Sequence, residues 1–251
     1  MKKVVNVYKD IGKTPLEAVE KFREKYNYYR NKKIGYAGRL DPMAEGVLIL
    51  LIEDENKKIK KYLGFSKEYK AEFIFGFSTD SHDILGIPKK GCGLNIDIKE
   101  LKKIVNSFVG AFEQKIPKFS SYKVNGKPMF YYARKGIELE EIKKKVLIKK
   151  IRINSLYKIS NNNLYNYIYI KINKLKGDFI QKDILDKWKE LLKEKNSYYV
   201  LSVNLECSSG TYIRAIAEEL GAKIGCGALL LSLRRNRVGK FLVKDSIINL
   251  W

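Results

Sequence analysis

The sequence predicts an α+β domain with a central mixed, largely antiparallel sheet flanked by helices. Three observations lead there. Apolar or alternating strand-like segments recur from Val4 to Val243. Helical segments fall between them irregularly rather than in the strict strand–helix alternation of a parallel sheet. Neighbouring strands are hairpin-like, with no internal repeat and no long flexible linker. A chain of 251 residues can bury a sizeable core, so residues 1–251 read as one domain.

Taken in order, Val4 to Tyr8 alternates weakly and reads as a first strand. Thr14-Pro15-Leu16-Glu17 has the form of a capping box with proline at the first helical position, opening a helix to about Tyr26. Gly35-Tyr36-Ala37-Gly38-Arg39-Leu40-Asp41-Pro42-Met43-Ala44-Glu45-Gly46 is an irregular loop, and the apolar run Val47 to Ile52 that follows reads as a strand buried on both faces. Asp54 to Leu63 resembles a short basic helix. In Lys67 to Phe77, residues Tyr69, Ala71, Phe73 and Phe75 share one face of a strand, which ends in the turn-rich Ser78 to Asp83.

Ile96 to Val109 has a helical apolar period. Pro117 to Glu140 reads as an exposed arm with a short helix near Met129 to Lys135. Val146 to Ile153 and Tyr165 to Ile172 are strand-like, Asp178 to Lys195 helical, and Tyr198 to Cys207 a core strand. Thr211 to Leu220 is expected to be a helix with Gly221 as its C-cap. Ala228 to Leu233 is a compact apolar segment, and Arg234 to Val243 a final basic strand.

Fifty Lys and Arg against 28 Asp and Glu give a net charge of +22, which favours a polyanionic partner, nucleic acid or an acidic membrane. Biased usage of Lys, Asn, Ile and Tyr accounts for part of that surplus. The N-terminus lacks the apolar core of a secretion signal, and no run approaches the ~20 apolar residues of a membrane span. Cys92, Cys207 and Cys226 are odd in number and lack metal-ligand spacing, as expected of thiols in a reducing cytoplasm. With His82 the single histidine, zinc and histidine-triad chemistry have little support.

Two loops invite chemistry. Asp41 stands where a rigid strand begins, with Pro42 restricting its backbone and Arg39 beside it; local sequence alone favours a plain turn aspartate. Cys207-Ser208-Ser209-Gly210-Thr211-Tyr212-Ile213-Arg214 is a strand end, a turn and a helix start, and Arg214 alone could be a surface charge. The arm, Ile116 to Gly136, interleaves basic and aromatic residues, a pattern suited to phosphates and bases or to a solvated amphipathic arm.

These words together resemble one family. The loop around Asp41 is similar to the active-site motif of the TruB-type pseudouridine synthases, Gly-His-x-Gly-x-Leu-Asp-Pro-x-Ala-x-Gly. The second loop is similar to their Cys-Ser-x-Gly-Thr-Tyr-Ile-Arg, and Gly225 to Arg235, Ile-Pro-x-x-Ser and Lys-Val-Asn-Gly-Lys also match in order. The resemblance implies the pseudouridine synthase fold with an inserted thumb at about 117–140. It makes Asp41 the essential catalytic residue, Arg214 its ion-pair partner and Tyr69 the ring that stacks on the target base. Tyr212 would contact the nucleotide, Leu233 line the base pocket, Asp83 lie in a loop approaching the RNA, and Lys123 and Lys127 grip it.

The implied reaction converts uridine 55 in the T loop of tRNA to pseudouridine. It cleaves C1′–N1, rotates the base and rejoins it through C5, with no metal or cofactor, in a cytoplasmic monomer. Whether Asp41 attacks C1′ or removes the C2′ proton stays open. An RNA-guided synthase and a non-catalytic RNA-binding protein on the same scaffold are the alternatives. The sequence also departs from the pattern: Tyr36 and Ala37 replace His and Thr/Ser, Glu45 a threonine, and Lys9-Asp10 the N-terminal Lys-Pro. Tyr36 could still stack into the space the target base leaves. Residues 154–197 exceed the family's usual connection, and too few residues follow Arg235 for a C-terminal PUA domain.

Overall fold

The computed structural model describes residues 2–91 and 96–247, so Cys92 lies outside the described residues. The strands are β1 (Val4–Lys9), β2 (Ile34–Ala37), β3 (Ala44–Ile52), β4 (Lys67–Phe75), β5 (Phe77–Thr79), β6 (Pro88–Lys90), β7 (Gly110–Lys115), β8 (Lys123–Val124), β9 (Lys127–Pro128), β10 (Lys143–Ser160), β11 (Ser197–Cys207), β12 (Ala228–Val238) and β13 (Phe241–Leu242). The helices are α1 (Pro15–Lys25), α2 (Ile59–Leu63), α3 (Ile98–Asn106), α4 (Met129–Arg134), α5 (Asn161–Ile172), α6 (Gln181–Leu191) and α7 (Ile213–Ile224).

The main sheet has the order β1-β3-β12-β4-β11-β10-β7, with β2 added to β3 and β13 to β12. β3 and β12 run parallel, Leu233 beside Ala44; every other pairing in this sheet is antiparallel among the described residues. The parallel join brings the end of the chain against its beginning. Gly46 stands opposite Arg235 there with φ +109°, and a Cβ at that position would strike the Arg235 backbone.

The alternation of β3 is buried on both sides. Leu48, Leu50 and Ile52 meet Ala18, Val19 and Phe22 of α1, whereas Val47, Ile49 and Leu51 meet Tyr62 of α2 and Val238. The capping box at Thr14 is made, with both reciprocal hydrogen bonds in place. Tyr69, Ala71, Phe73 and Phe75 do share one face of β4, which packs against Leu101 and Val105 of α3 and Ile216 and Leu220 of α7. The opposite face of the sheet centre, with Ile74, Val200, Leu229 and Leu231, is covered by α5 and α6.

Four expectations are corrected. Tyr165–Ile172 belongs to a helix, α5, not a strand: Leu164, Ile168 and Ile172 recur every four residues on its buried stripe. Its tyrosines and isoleucines favour strands locally, and packing overrides that preference. β10 instead continues unbroken to Ser160, where the Ser160 side chain caps α5 by accepting from the Asn163 amide. Gly221 is inside α7, where a Cβ would strike the Ala228 backbone nitrogen of returning β12; the left-handed residue past the helix is Gly225, φ +79°. Ala228–Leu233 and the first part of the final basic segment are one strand, β12, carrying register shifts at Leu230/Ser232 and Arg235/Arg237. Asp54–Leu63 is divided between a 3₁₀ turn (Glu53–Lys58) and α2.

Candidate active site

Asp41 lies in the turn between β2 and β3, closed by the Ala44 amide donating to the Asp41 carbonyl at 3.0 Å. Arg235 clamps this loop. Its side chain is buried, donating from Nε to the Val47 carbonyl at 2.8 Å and from Nη2 to the Gly38 carbonyl at 2.9 Å. Alternation in β12 puts Arg235 on the same inward side as Leu233, so an arginine that reads as surface charge becomes the anchor of the loop.

Arg214 is the second residue of α7. The turn before it is held by Gln114 of β7, which accepts from the Tyr212 amide (2.8 Å) and donates to the Tyr212 carbonyl (3.0 Å). From that fixed start the Arg214 side chain runs inward with 5% exposure and divides its donors among three segments. Nε donates to Asp41 Oδ2 at 2.7 Å, Nη1 to the Ser81 carbonyl at 2.7 Å, and Nη2 to the Phe119 carbonyl of the arm at 3.1 Å. The Asp41 carboxylate is 39% exposed, so one side is tied to the guanidinium while the other opens to solvent.

Asp83 stands behind the pair rather than at the surface. It is buried, 3.7 Å from Arg214 Nε, and accepts from Ser81 Oγ at 2.7 Å and the Leu85 amide at 2.9 Å. Burial raises its pKa, and Arg214 and these donors oppose that rise. Burial likewise works against the Arg214 charge, but Asp41 and Asp83 outweigh it and its pKa is raised.

Tyr69 and Leu233 are both buried in the cluster that contains Leu40 and Ala44 at the foot of the loop. Burial pushes the Tyr69 phenol up to about 12, against the opposing charge of Arg235, its cross-strand neighbour. Tyr212 is half-buried at the start of α7, and burial raises its pKa too. Tyr36 is half-buried in β2 and packs with the α1-facing cluster. Lys123 and Lys127 are exposed on the β8–β9 hairpin of the arm, with Lys127 Nζ 4.6 Å from the Tyr131 ring centre.

A cavity of about 540 Å³ opens beside Asp41. Asp41, Asp83 and Arg214 line it together with Thr14 and Pro15 of the α1 start, Phe119 and Phe130 of the arm, and Asp178 to Ile180 between α5 and α6. Tyr36, Tyr69, Tyr212, Leu233, Lys123 and Lys127 are not among its lining residues.

Three groups escape the sequence reading. Arg235 is one and the α5–α6 connection another. The third is Lys9, fully buried and donating to the Asp10 (3.0 Å) and Lys13 (2.7 Å) carbonyls. Burial lowers its pKa to about 7, with the nearby Asp41 charge opposing the shift. The signal for Lys9 was present: Val5, Val7 and Lys9 share the inward face of β1. Among the described residues no cluster of His, Cys, Asp and Glu could hold a metal ion, and no helix is long and apolar enough to cross a membrane.

Residues 26–180 match the model of the TruB family pseudouridylate synthase N-terminal domain. A tRNA pseudouridine synthase B of Endomicrobium trichonymphae is 33% identical over 240 residues, covering 95% of this chain and 86% of that protein. The same-named protein of Chlamydia abortus is 36% identical over 220 residues, covering 86% and 75%. Among solved structures, a Cbf5-Nop10-Gar1 complex superposes with a TM-score of 0.58 at 19% identity over 95% of this chain, and an H/ACA RNP bound to a substrate RNA with 0.55 at 18%. The chain spans about half the length of those structural neighbours (49% and 48%), and at such identity the likeness is one of fold. With the motif loops joined in space and relatives aligned along nearly its whole length, the chain belongs to the TruB family of pseudouridylate synthases.

Proposed function

We propose that this chain isomerises uridine to pseudouridine in tRNA, at uridine 55 of the T loop, as a cytoplasmic monomer without metal or cofactor. The observation that carries the reading is the Asp41–Arg214 pair, joined at 2.7 Å across 173 residues of sequence by a buried guanidinium. A carboxylate so held is oriented and still open to a cavity, as required of a group that begins glycosidic cleavage.

In this reading the target nucleotide leaves its stack and its C1′ approaches Asp41. The C1′–N1 bond breaks, the base turns, C5 bonds to C1′, and the C5 proton passes to solvent while N1 is protonated. Arg214 is a positioning residue, fixing which Asp41 oxygen faces the sugar. Asp83, buried behind Arg214, keeps that guanidinium in register with Asp41. Tyr69 and Leu233 supply the aromatic and apolar faces against which the flipped base rests, and Tyr212 adjoins the nucleotide. Lys123, Lys127 and the arm's aromatic rings contact the T-arm backbone, in keeping with the +22 charge.

The test is tritium release from C5-labelled uridine in a T-arm stem-loop with no other protein or RNA present. The wild-type chain should release tritium, and Asp41→Asn should abolish release while binding the same RNA. Absence of release from both the stem-loop and full-length tRNA would overturn the proposal.

A further inference from the structure

The cavity beside Asp41 is walled in part by the connection between α5 and α6, to which the reaction gives no role. At about 540 Å³ it lies well within the ~300–1,000 Å³ typical of sites for drug-sized ligands. The inner end is Asp41, Asp83 and Arg214. The outer wall comes from two excursions of the sheet: Phe130 and Arg134 of the arm, and Asp178, Phe179 and Ile180 between α5 and α6. Arg134 bridges these excursions, its guanidinium carbon 5.8 Å from the Phe130 ring centre and 5.9 Å from that of Phe179. The outer chamber is therefore two half-buried aromatic rings joined by an exposed cation, continuous with the catalytic aspartate.

The α5–α6 connection is held in one shape at some conformational expense. Ile180 adopts φ +52°, ψ +37°, a left-handed conformation that a β-branched residue rarely takes, and its side chain is 52% exposed. Hydrogen bonds within five residues lock the turn: the Phe179 amide donates to Gln181 Oε1 at 2.9 Å, the Ile180 amide to Asp178 Oδ1 at 3.1 Å, and Gln181 Nε2 to the Gly177 carbonyl at 2.8 Å. Below it, α6 is fixed by fully buried Trp188, whose ring meets Phe77 at 5.0 Å. The fold thus presents an exposed isoleucine and a half-buried phenylalanine on a rigid base, facing the arm.

We propose that this outer chamber is a second nucleotide subsite, in which Phe179 and Phe130 stack an unpaired base of the substrate RNA that flanks the target nucleotide. The aromatic rings offer the π faces that unstacked bases seek, and Arg134 offers a cation for the base face or the adjoining phosphate. The +22 charge of the whole chain favours an RNA ligand, and continuity with Asp41 restricts the occupant to a neighbour of the reacting nucleotide. The inference rests on the isomerase reading only for the identity of the RNA. It makes the α5–α6 excursion part of substrate selection as well as a cover for the sheet.

The experiment is a coupling cycle on equilibrium binding. A T-arm stem-loop is prepared with an abasic nucleotide at each loop position in turn, and each RNA is bound to the wild-type chain, Phe179→Ala and Arg134→Gln. For the wild-type chain one flanking position should weaken binding by at least about fivefold, the lower end of base–aromatic stacking. The same abasic change should weaken Phe179→Ala by less than about twofold, because the stacking partner is already gone. Arg134→Gln, at an exposed side chain, shows the same loss of coupling at the same position and guards against a folding defect in Phe179→Ala. If no loop position couples to residue 179 or 134 by more than about twofold, the subsite is refuted. Binding needs no turnover, so a wild-type chain that binds but makes no pseudouridine overturns the isomerase reading while the cycle still decides this one.

Discussion

Replacing Arg214 by lysine separates charge from geometry at the Asp41–Arg214 pair. The wild-type guanidinium makes three hydrogen bonds, to Asp41 Oδ2, the Ser81 carbonyl and the Phe119 carbonyl, at 2.7, 2.7 and 3.1 Å. A lysine ammonium keeps the attraction to Asp41 and to Asp83 but is a compact point charge on a flexible stem, unable to span the same three acceptors in one plane. If it stays with the carboxylates, the two carbonyl bonds are lost. Hydrogen bonds to charged groups are worth ~1.5–3 kcal/mol each, so the low end gives about 3 kcal/mol for the two. Expressed wholly in the placement of Asp41 and the arm, that lowers the rate of the chemical step by about 150-fold at 1.36 kcal/mol per decade. The assay is single-turnover pseudouridine formation at saturating RNA, with thermal unfolding measured alongside. A saturated rate within about fivefold of wild type would refute the positioning role, and a deficit that disappears with more RNA would move Arg214 from orientation to binding.

Lys9 gives a pH test: its pKa is about 7 in the fold against 10.5 for the ordinary amine, so between those values the unfolded chain binds the extra proton and stability rises with pH. Urea midpoints across that range should show a positive slope that Lys9→Met flattens, and an unchanged slope would mean that Lys9 is not the group responsible. Trp188→Ala, at a fully buried ring between α6 and the sheet, should cost ~3–5 kcal/mol in urea unfolding, and a loss below about 1 kcal/mol would contradict the packing described. Gly221→Ala forces a methyl group onto the β12 backbone and should destabilise by ~1–3 kcal/mol, although alanine is the better helix former elsewhere. Reversal of Lys123 and Lys127 to Glu should weaken T-arm binding and flatten its salt dependence before it slows the saturated step; unchanged affinity would count against the arm as an RNA contact.

What could be read from the sequence is what local physics encodes. The β4 alternation, the Thr14 capping box and the doubly buried β3 each depend on neighbours a few residues away, and each is present in the fold. The mixed sheet followed from the order of such elements. Residues whose environment comes from distant chain were harder. Tyr165 to Ile172 carries strand-favouring side chains, and only the apolar face of the sheet opposite Leu164 and Ile168 makes it a helix. Gly221 looks like a helix stop because nothing nearby announces the β12 backbone pressing on it. In the site, the motif words named Asp41 and Arg214, but local sequence could not say that Asp83 is buried behind them. Lys9 and Arg235 carry charges that by residue type belong at the surface, whereas the strand period alone faces both inward. No local signal at Phe179 marks the α5–α6 turn as neighbour to the arm.

The parallel join of β3 to β12 also sets a timetable for the nascent chain. β1 can pair with one edge of β3, and β2 with Ile49 to Ile52 on the other, as soon as these strands emerge, but Ala44 to Gly46 wait on that second edge for Leu233 to Arg235 of β12. From Ile52 to Ala228 is 176 residues, which at ~5–20 residues per second is roughly 10 to 35 s of synthesis. Throughout that interval the first residues of β3, Ala44 to Gly46, have that side of their hydrogen-bonding ladder unfilled, directly after the Asp41 loop. Asp41 meets Arg214 only near the end of the same interval, so a ribosome carrying most of this chain still lacks the Asp41–Arg214 pair.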